Sequence, residues 1–344
     1  MSTYFPEGYV SLFDKKQTEK GIKFVKDTFE RELAGELMLS RVTSPLFVPK
    51  HSGINDDLNG VERPVSFDIG KMDNKKMEII QSLAKWKRMA LADHGYTPGT
   101  GLYTDMNAVR PDDDIDAIHS IYVDQWDWEL VITEEQRNLD FLKKTVRKIY
   151  EALRRTQFLV NESFPTQLPK LPEEITFIHS EDALHRYPKL DPSQREKALA
   201  KEYGAIFIIG IGAELADGQV HGGRAPDYDD WTTPTGHGHQ GLNGDIIVWD
   251  YVRNDSMELS SMGIRVDATA LMRQLKIRGC EERKDFYWHK RLLNGEFPLT
   301  IGGGIGQSRL CMILLQKAHI GEVQSSEWPE AVKIEAKGKG IPFM

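Results

Sequence analysis

The 344-residue sequence has only two cysteines, Cys280 and Cys311, and no spacing that suggests a disulfide or a cysteine-based metal site. Excess positive charge is also missing. Forty-four Lys and Arg stand against 52 Asp and Glu, a net charge of −8, so nothing draws the chain generally toward nucleic acid. No apolar run approaches a membrane span, and the opening Met1-Ser-Thr-Tyr-Phe-Pro6 has no basic segment followed by an apolar one. The expectation is a cytoplasmic protein with no nucleic-acid partner and no membrane partner. Internal repeats, low-complexity tracts and clear linkers are lacking too. What is present, 40% hydrophobic and 28% charged residues, is globular composition with enough length for a large core. The reading is one domain over residues 1–344.

Two phosphate-binding signatures are missing as well. No Gly-Lys-Ser/Thr occurs, which excludes a P-loop, and Gly302-Gly-Gly-Ile-Gly306 breaks the dinucleotide spacing at Gln307 with no βαβ unit after it. Pro298–Ile301, the glycines and Gln307–Lys317 instead read as strand, glycine turn and helix, with Arg309 in the helix's first turn. Glycines admit a flat ligand close to the backbone, and a helix start favours phosphate.

The central stretch is Met106–Glu129. An extended run ends in Arg110, residues 111–116 form a polar loop, and His119–Glu129 returns as a strand with two distinct faces. Tyr122, Trp126, Trp128 and Leu130 line one side; Gln125, Asp127 and Glu129 occupy the other. A one-sided antiparallel strand normally wets its polar face. Here an amide between acids lies opposite an arginine, a set suited to an amino-acid head group beside a phosphate.

Around this hairpin, residues 15–35 form an amphipathic helix with Ile22, Val25, Phe29 and Leu33 on one stripe. Leu37–Thr43 reads as a strand ending at Ser44-Pro45. A polar loop, Lys50–Glu62, carries Asp56 and Asp57. Pro64–Ile69 pairs with Lys76–Ile80. A helix follows Ser82, whose hydroxyl suits a cap, with Leu83, Trp86 and Ala90 buried. Lys87 lies beside that stripe, where it either snorkels to water or meets an anion in a pocket. Thr133–Gln136 is a capping box opening a long helix with Leu142, Val146 and Ile149 inward. Ala213–Gly244 has no apolar period and reads as a substrate-covering loop. Asp245–Val252 and Met257–Val266 form a further strand pair, followed by helices at Thr269–Gly279 and Lys284–Leu293. Strands in hairpin-like runs with helices between them define an α+β fold with a large, mainly antiparallel β-sheet flanked by helices.

Leu37–Pro45 after a long helix, Arg110 with Tyr122–Glu129, Gly302–Leu315, Asp245–Val248 and Glu258–Arg265, in that order, resemble the class II aminoacyl-tRNA synthetase catalytic core, its aspartyl and asparaginyl branch in particular. A resemblance over nearly the whole chain is to the ammonia-dependent aspartate ligases. It is carried by Ser82–Arg88, Gly101–Thr104, Tyr122–Glu129, Arg224–Trp231, Glu258–Arg265 and Ile301–Arg309. It implies a homodimer that uses ATP and magnesium (Mg2+) to join L-aspartate to ammonia, releasing AMP and diphosphate through a β-aspartyl-adenylate.

The resemblance implies roles. Arg110 holds the α-phosphate and the carboxylate being activated. Arg309 holds the distal phosphates or stacks on adenine. Asp245 and Glu258 are the candidate magnesium ligands, although a regular strand puts Glu258 and Ser261 on opposite faces, so a bulge or a role for only one of them is required. For aspartate, Lys87 and Arg265 supply positive charge, and Ser82, Gln125 and Ser261 supply hydrogen bonds. Asp56, Asp127 and Asp229 are candidates for the ammonium and later for ammonia. A tRNA-charging enzyme would need an anticodon-binding module, and every part of the chain is already used by the core. A glutamine-dependent synthetase of the amino-terminal nucleophile type needs cysteine where Ser2 stands. A non-catalytic relative would lose the phosphate arginines or metal acids that remain here.

Overall fold

The computed structural model describes residues 4–56, 58, 62–164 and 171–344. Asp57 lies outside the described residues. The strands are β1 (Leu39–Arg41), β2 (Phe47–Pro49), β3 (Ser66–Ile69), β4 (Lys75–Ile79), β5 (Gly101–Val109), β6 (Tyr122–Val131), β7 (Thr176–His179), β8 (Ala205–Ile209), β9 (Pro234–Gly236), β10 (His239–Gln240), β11 (Asn243–Asp250), β12 (Asp255–Ile264) and β13 (Thr300–Gly306). The helices are α1 (Lys15–Leu37), α2 (Ala84–Asp93), α3 (Leu139–Ser163), α4 (Ser180–Arg186), α5 (Pro192–Tyr203), α6 (Ala268–Arg278), α7 (Tyr287–Leu293), α8 (Gln307–Leu314) and α9 (Glu330–Gly338).

Eight strands form one sheet in the order β1-β5-β6-β13-β12-β11-β8-β7. The six inner strands pair antiparallel, and only the outer pairs, β1 with β5 and β7 with β8, are parallel. The α+β expectation holds. A second small sheet, β2-β4-β3, carries the chain into α2.

The two faces of β6 explain how the sheet divides the molecule. Trp126, Trp128 and Leu130 point into the main core with Val25, Phe29 and Leu33 of α1 and Leu142, Val146 and Ile149 of α3. Phe29 and Trp126 have ring centroids 4.8 Å apart, and each fully buried large apolar side chain contributes about 1.5–3 kcal/mol. The opposite face is covered by α2 and by the small core of Leu83, Met106, Leu271 and Trp288. Asp127 and Glu129 are buried there, and opposing charges lie against both.

Several boundaries move. Leu37 belongs to α1, which ends at Met38 in a left-handed cap (φ 55°), leaving a strand of only Leu39–Arg41. The Thr133–Gln136 capping box closes a single 3-10 turn, and Asn138 caps α3 by accepting from the Phe141 amide. A 3-10 turn at Glu281–Asp285 precedes α7, which starts at Tyr287. The Ala213–Gly244 segment is more ordered than a bare loop: it contains β9, β10 and the start of β11, Asp227, Asp229, Asp230 and Trp231 within it are buried, and Gly223, Arg224, Tyr228 and Asp229 line a cavity beside β6. Their charges find partners inside the fold, as where Arg137 grips Asp230.

Candidate active site

Glycines 302, 303, 304 and 306 lie in strand β13, not in a turn, and they create the site. A methyl on Gly302 would collide with the Glu129 carboxylate and Arg265, and one on Gly304 with the Gln125 amide. Without side chains, β13 becomes a low floor between β6 and β12, and the polar groups of both neighbours close over it.

Lys87 from α2 reaches this floor. It is fully buried, donates to the Gly303 carbonyl at 2.9 Å and contacts the Asp127 carboxylate directly. Glu129 is 3.9 Å away. Burial pulls the Lys87 ammonium below its ordinary value, and Asp127 and Glu129 oppose that pull. Arg265, at the end of β12, donates to Glu129 at 2.8 and 2.9 Å and grips Asp229. Burial disfavours the Glu129 anion, yet Arg265 and Lys87 hold its carboxyl below the usual range.

Lys87, Asp127 and Arg265 line a cavity of about 300 Å³ that also receives Asp56, Ser82, Arg110, Gln125, Asp229, Glu258 and Ser261, with Glu129 buried behind it. Ser82 accepts from the Ala84 amide at 3.1 Å while facing the cavity, so its turn-forming bond and its place in the site coexist. Glu258 and Ser261 reach the same cavity because the β11–β12 register slips between Ile246 and Ile247: Ser260 and Glu258 face consecutive partners and Leu259 is extra. This bulge removes the objection from strand alternation.

An adjoining cavity of about 380 Å³ is lined by Arg309, Ile118, His119, Tyr122 and Ser308. It shares Arg110, Asp113, Gln125, Glu258 and Gly304 with the first. Arg110 donates to the Gln81 carbonyl at 3.1 and 2.9 Å. Arg309 donates to the Glu258 carbonyl at 3.0 Å.

Asp245 lines neither cavity. It is joined to the site through Arg224, which lies 2.5 Å from Asp245 and 3.2 Å from Asp229. Burial, reinforced by Glu258 and opposed by Arg224, pushes the Asp245 carboxyl up to about 7. Sequence reasoning assigned no role to Arg224, Tyr228 or Asp113, which line the substrate-sized cavity, or to Glu129 as the partner of Arg265. The run Arg224-Ala-Pro-Asp-Tyr228 was the available signal, but its spacing matches no regular periodicity.

Sheet order and the likeness to solved structures give a class II synthetase-like fold. Asparaginyl-tRNA synthetase of Entamoeba histolytica in complex with asparaginyl-adenylate superimposes with a TM-score of 0.66 at 15% identity, covering 92% of this chain and 68% of that one. The corresponding complex from Pyrococcus horikoshii gives 0.66 at 16% identity, covering 91% and 70%. At those identities the likeness establishes the fold. Within that class the chain belongs to the aspartate-ammonia ligase family, whose model matches residues 16–340, and it forms asparagine from aspartate and ammonia with ATP. Aspartate–ammonia ligase of Parabacteroides distasonis is 59% identical over 336 residues, 98% of this chain and 97% of that protein. The Clostridium perfringens enzyme is 54% identical over 327 residues, covering 95% of each.

Proposed function

We propose that the two joined cavities make asparagine in two steps through a β-aspartyl-adenylate. The observation that carries this is the position of Arg110 on the wall common to both cavities. A carboxylate is a poor electrophile. Its oxygen therefore attacks the α-phosphorus of ATP, the bond to the β-phosphate oxygen breaks, and diphosphate leaves. Ammonia then attacks the acyl carbon, the acyl C–O bond breaks, and AMP departs with the former carboxylate oxygen. Arg110 stabilises charge at the α-phosphate in the first step, and Arg309 holds the rest of the nucleotide in the larger cavity.

Aspartate occupies the smaller cavity. Its carboxylates meet Lys87 and Arg265; its ammonium meets Asp127 and Asp229; Ser82, Gln125 and Ser261 orient it; Asp56 faces the incoming nitrogen. These charges pair with one another in the structure, Lys87 with Asp127 and Arg265 with Asp229. A zwitterion exchanges one set of ion pairs for another, so its charges are never left alone in the low-dielectric interior.

Asp245 and Glu258 suit magnesium by donor chemistry, as hard carboxylate oxygens; Glu258 lines both cavities, while Asp245 lies outside them in the grip of Arg224, a contact the ion would have to displace. Bound there, the ion would neutralise phosphate charge. A single catalytic domain, a homodimer and a cytoplasmic location, where ATP and ammonia are at hand, complete the proposal. Sedimentation tests the dimer, with a single-chain mass as the outcome against it.

The chemical test uses aspartate labelled with ¹⁸O in the β-carboxylate. One labelled oxygen should appear in AMP. Label in diphosphate, or an AMP free of label, contradicts the adenylate.

A further inference from the structure

A third cavity, of about 210 Å³, lies on the other side of Asp56. Asp56 lines both this space and the substrate-sized cavity, and so forms part of the wall between them. Neighbouring bonds fix the wall. Asn55 receives the Gln81 amide at 2.9 Å, Gln81 donates to the Asp56 carbonyl at 3.4 Å, and the Gln81 carbonyl receives Arg110.

The back of this cavity holds a buried dyad. His289 Nε2 lies 2.9 Å from Asp227 Oδ2. Lys85 and Arg283 face the same oxygen at 3.2 and 3.5 Å. Burial disfavours the Asp227 anion, but Lys85, then His289 and Arg283, hold its carboxyl far below the ordinary range. An ionised Asp227 is an acceptor, so Nε2 carries the hydrogen, and in the neutral imidazole Nδ1 then presents a lone pair. His289 is wholly buried. Its Nδ1 and the Asp227 Oδ1 are both buried without a hydrogen-bond partner. Gly53 leaves the space beside that nitrogen open: a Cβ there would lie 2.9 Å from Nδ1.

Two orphaned acceptors, with Glu78 and Asp56 as further acids on the lining, call for a small ligand that only donates hydrogen bonds. Ammonium, with four N–H donors and no acceptor, has that chemistry. We propose that this cavity is the ammonium-receiving chamber of the ligase and that His289 is its general base. The inference rests on the adenylate reading above. Ammonium docks among Asp56, Glu78 and the dyad. His289 Nδ1 takes one proton, Asp227 stabilises the resulting cation, and the freed ammonia passes Asp56 to the acyl carbon. As the C–N bond forms and AMP leaves, the nitrogen sheds its second proton through Asp56 to solvent, and His289 returns the first proton to solvent through the same chamber before the next turnover. The route suits the chemistry, because aspartate and nucleotide fill the joined front cavities and leave the rear wall for the nucleophile. Lys85, Arg283 and His51 face the chamber too; the first two are occupied by Asp227.

The test separates the half-reactions of the full-length enzyme. For His289→Gln, aspartate-dependent exchange between ATP and labelled diphosphate should persist, because it reports adenylate formation alone. Asparagine formation from ammonium at neutral pH should fall on the order of a hundredfold in kcat/KM, the usual contribution of a general base. Two features mark the loss as proton removal. It should shrink as pH rises toward the pKa of ammonium itself. It should also be nearly absent with hydroxylamine, which is already neutral at neutral pH. Glu78→Gln supplies a second reading, a raised KM for ammonium with the KM for aspartate unchanged. Equal losses with ammonium and hydroxylamine, loss of the exchange in both variants, or an unaltered ammonium KM in Glu78→Gln would each overturn the proposal. Absence of exchange in the unsubstituted enzyme would instead strike the adenylate reading beneath it.

Discussion

Replacing Lys87 with methionine keeps the volume of a fully buried side chain while deleting its charge, and the structure shows what is left behind. Asp127 loses its direct cationic partner, and one of its oxygens already lacks a hydrogen bond. Glu129 loses a cation 3.9 Å away but keeps Arg265 and a 2.7 Å bond from Thr300. At that separation the Lys87–Glu129 pair is worth about 4 kcal/mol with an effective dielectric near 20. Stranding one partner of a buried pair costs about 3–5 kcal/mol. Lys87→Met should therefore lower unfolding stability at neutral pH by about 3–5 kcal/mol in urea titrations. Asp127→Asn, removing the stranded charge, should recover most of that loss in the double variant, giving a coupling of about 3 kcal/mol. Calorimetric titration of each folded variant should show aspartate affinity falling far more than ATP affinity. Additive single effects would refute the pairing argument, and equal losses of both ligands would refute the placement of this pair in the amino-acid half of the site.

Arg110→Ala should leave the fold intact, since its bonds run to one carbonyl on a half-buried wall. It should cut turnover on the order of a hundred- to a thousandfold, the loss of about 3–4 kcal/mol at a developing phosphate charge; a folded variant with near-normal rate contradicts this. Gly302→Ala drives a methyl into Glu129 and Arg265 and should destabilise by about 3 kcal/mol or more, read as a fall in Tm that an unchanged melting curve would disprove. His319, buried beside Phe5 and Phe343, is pushed down to about 4 by burial. The unfolded chain thus binds the extra proton first, and stability falls as pH drops from about 6.5 to 4, by roughly 3 kcal/mol from this group. His319→Gln should lack that part of the acid sensitivity; equal pH profiles for both chains would rule it out.

The local rules that worked were those whose cause is local. The alternation in Tyr122–Leu130 placed Trp126 and Trp128 in the core and Gln125, Asp127 and Glu129 opposite them, because strand side chains must alternate. The stripe of Val25, Phe29 and Leu33 set α1 for the same kind of reason. Failures came where a distant segment decided. Gly302–Gly306 reads as a turn, since isolated glycine runs usually are; it is a strand because Glu129, Arg265 and Gln125 need the space a side chain would take. Strand alternation put Glu258 and Ser261 on opposite faces, and only pairing with β11 placed the extra residue at Leu259.

For the site, residue types alone gave an amino-acid head group beside a phosphate, since those groups demand particular charges; aspartate, ammonia and ATP came from the family resemblance of the motifs. Which charge meets which was decided by the tertiary structure alone. Arg224 became a link between Asp229 and Asp245, Glu129 the partner of Arg265, and Asp227 with His289 a buried dyad, through contacts spanning 5 to 136 positions in the chain. A buried charge costs several kcal/mol unless an opposite one lies within a few ångströms, and that distance is set by the packing of the sheet, not by any spacing along the sequence.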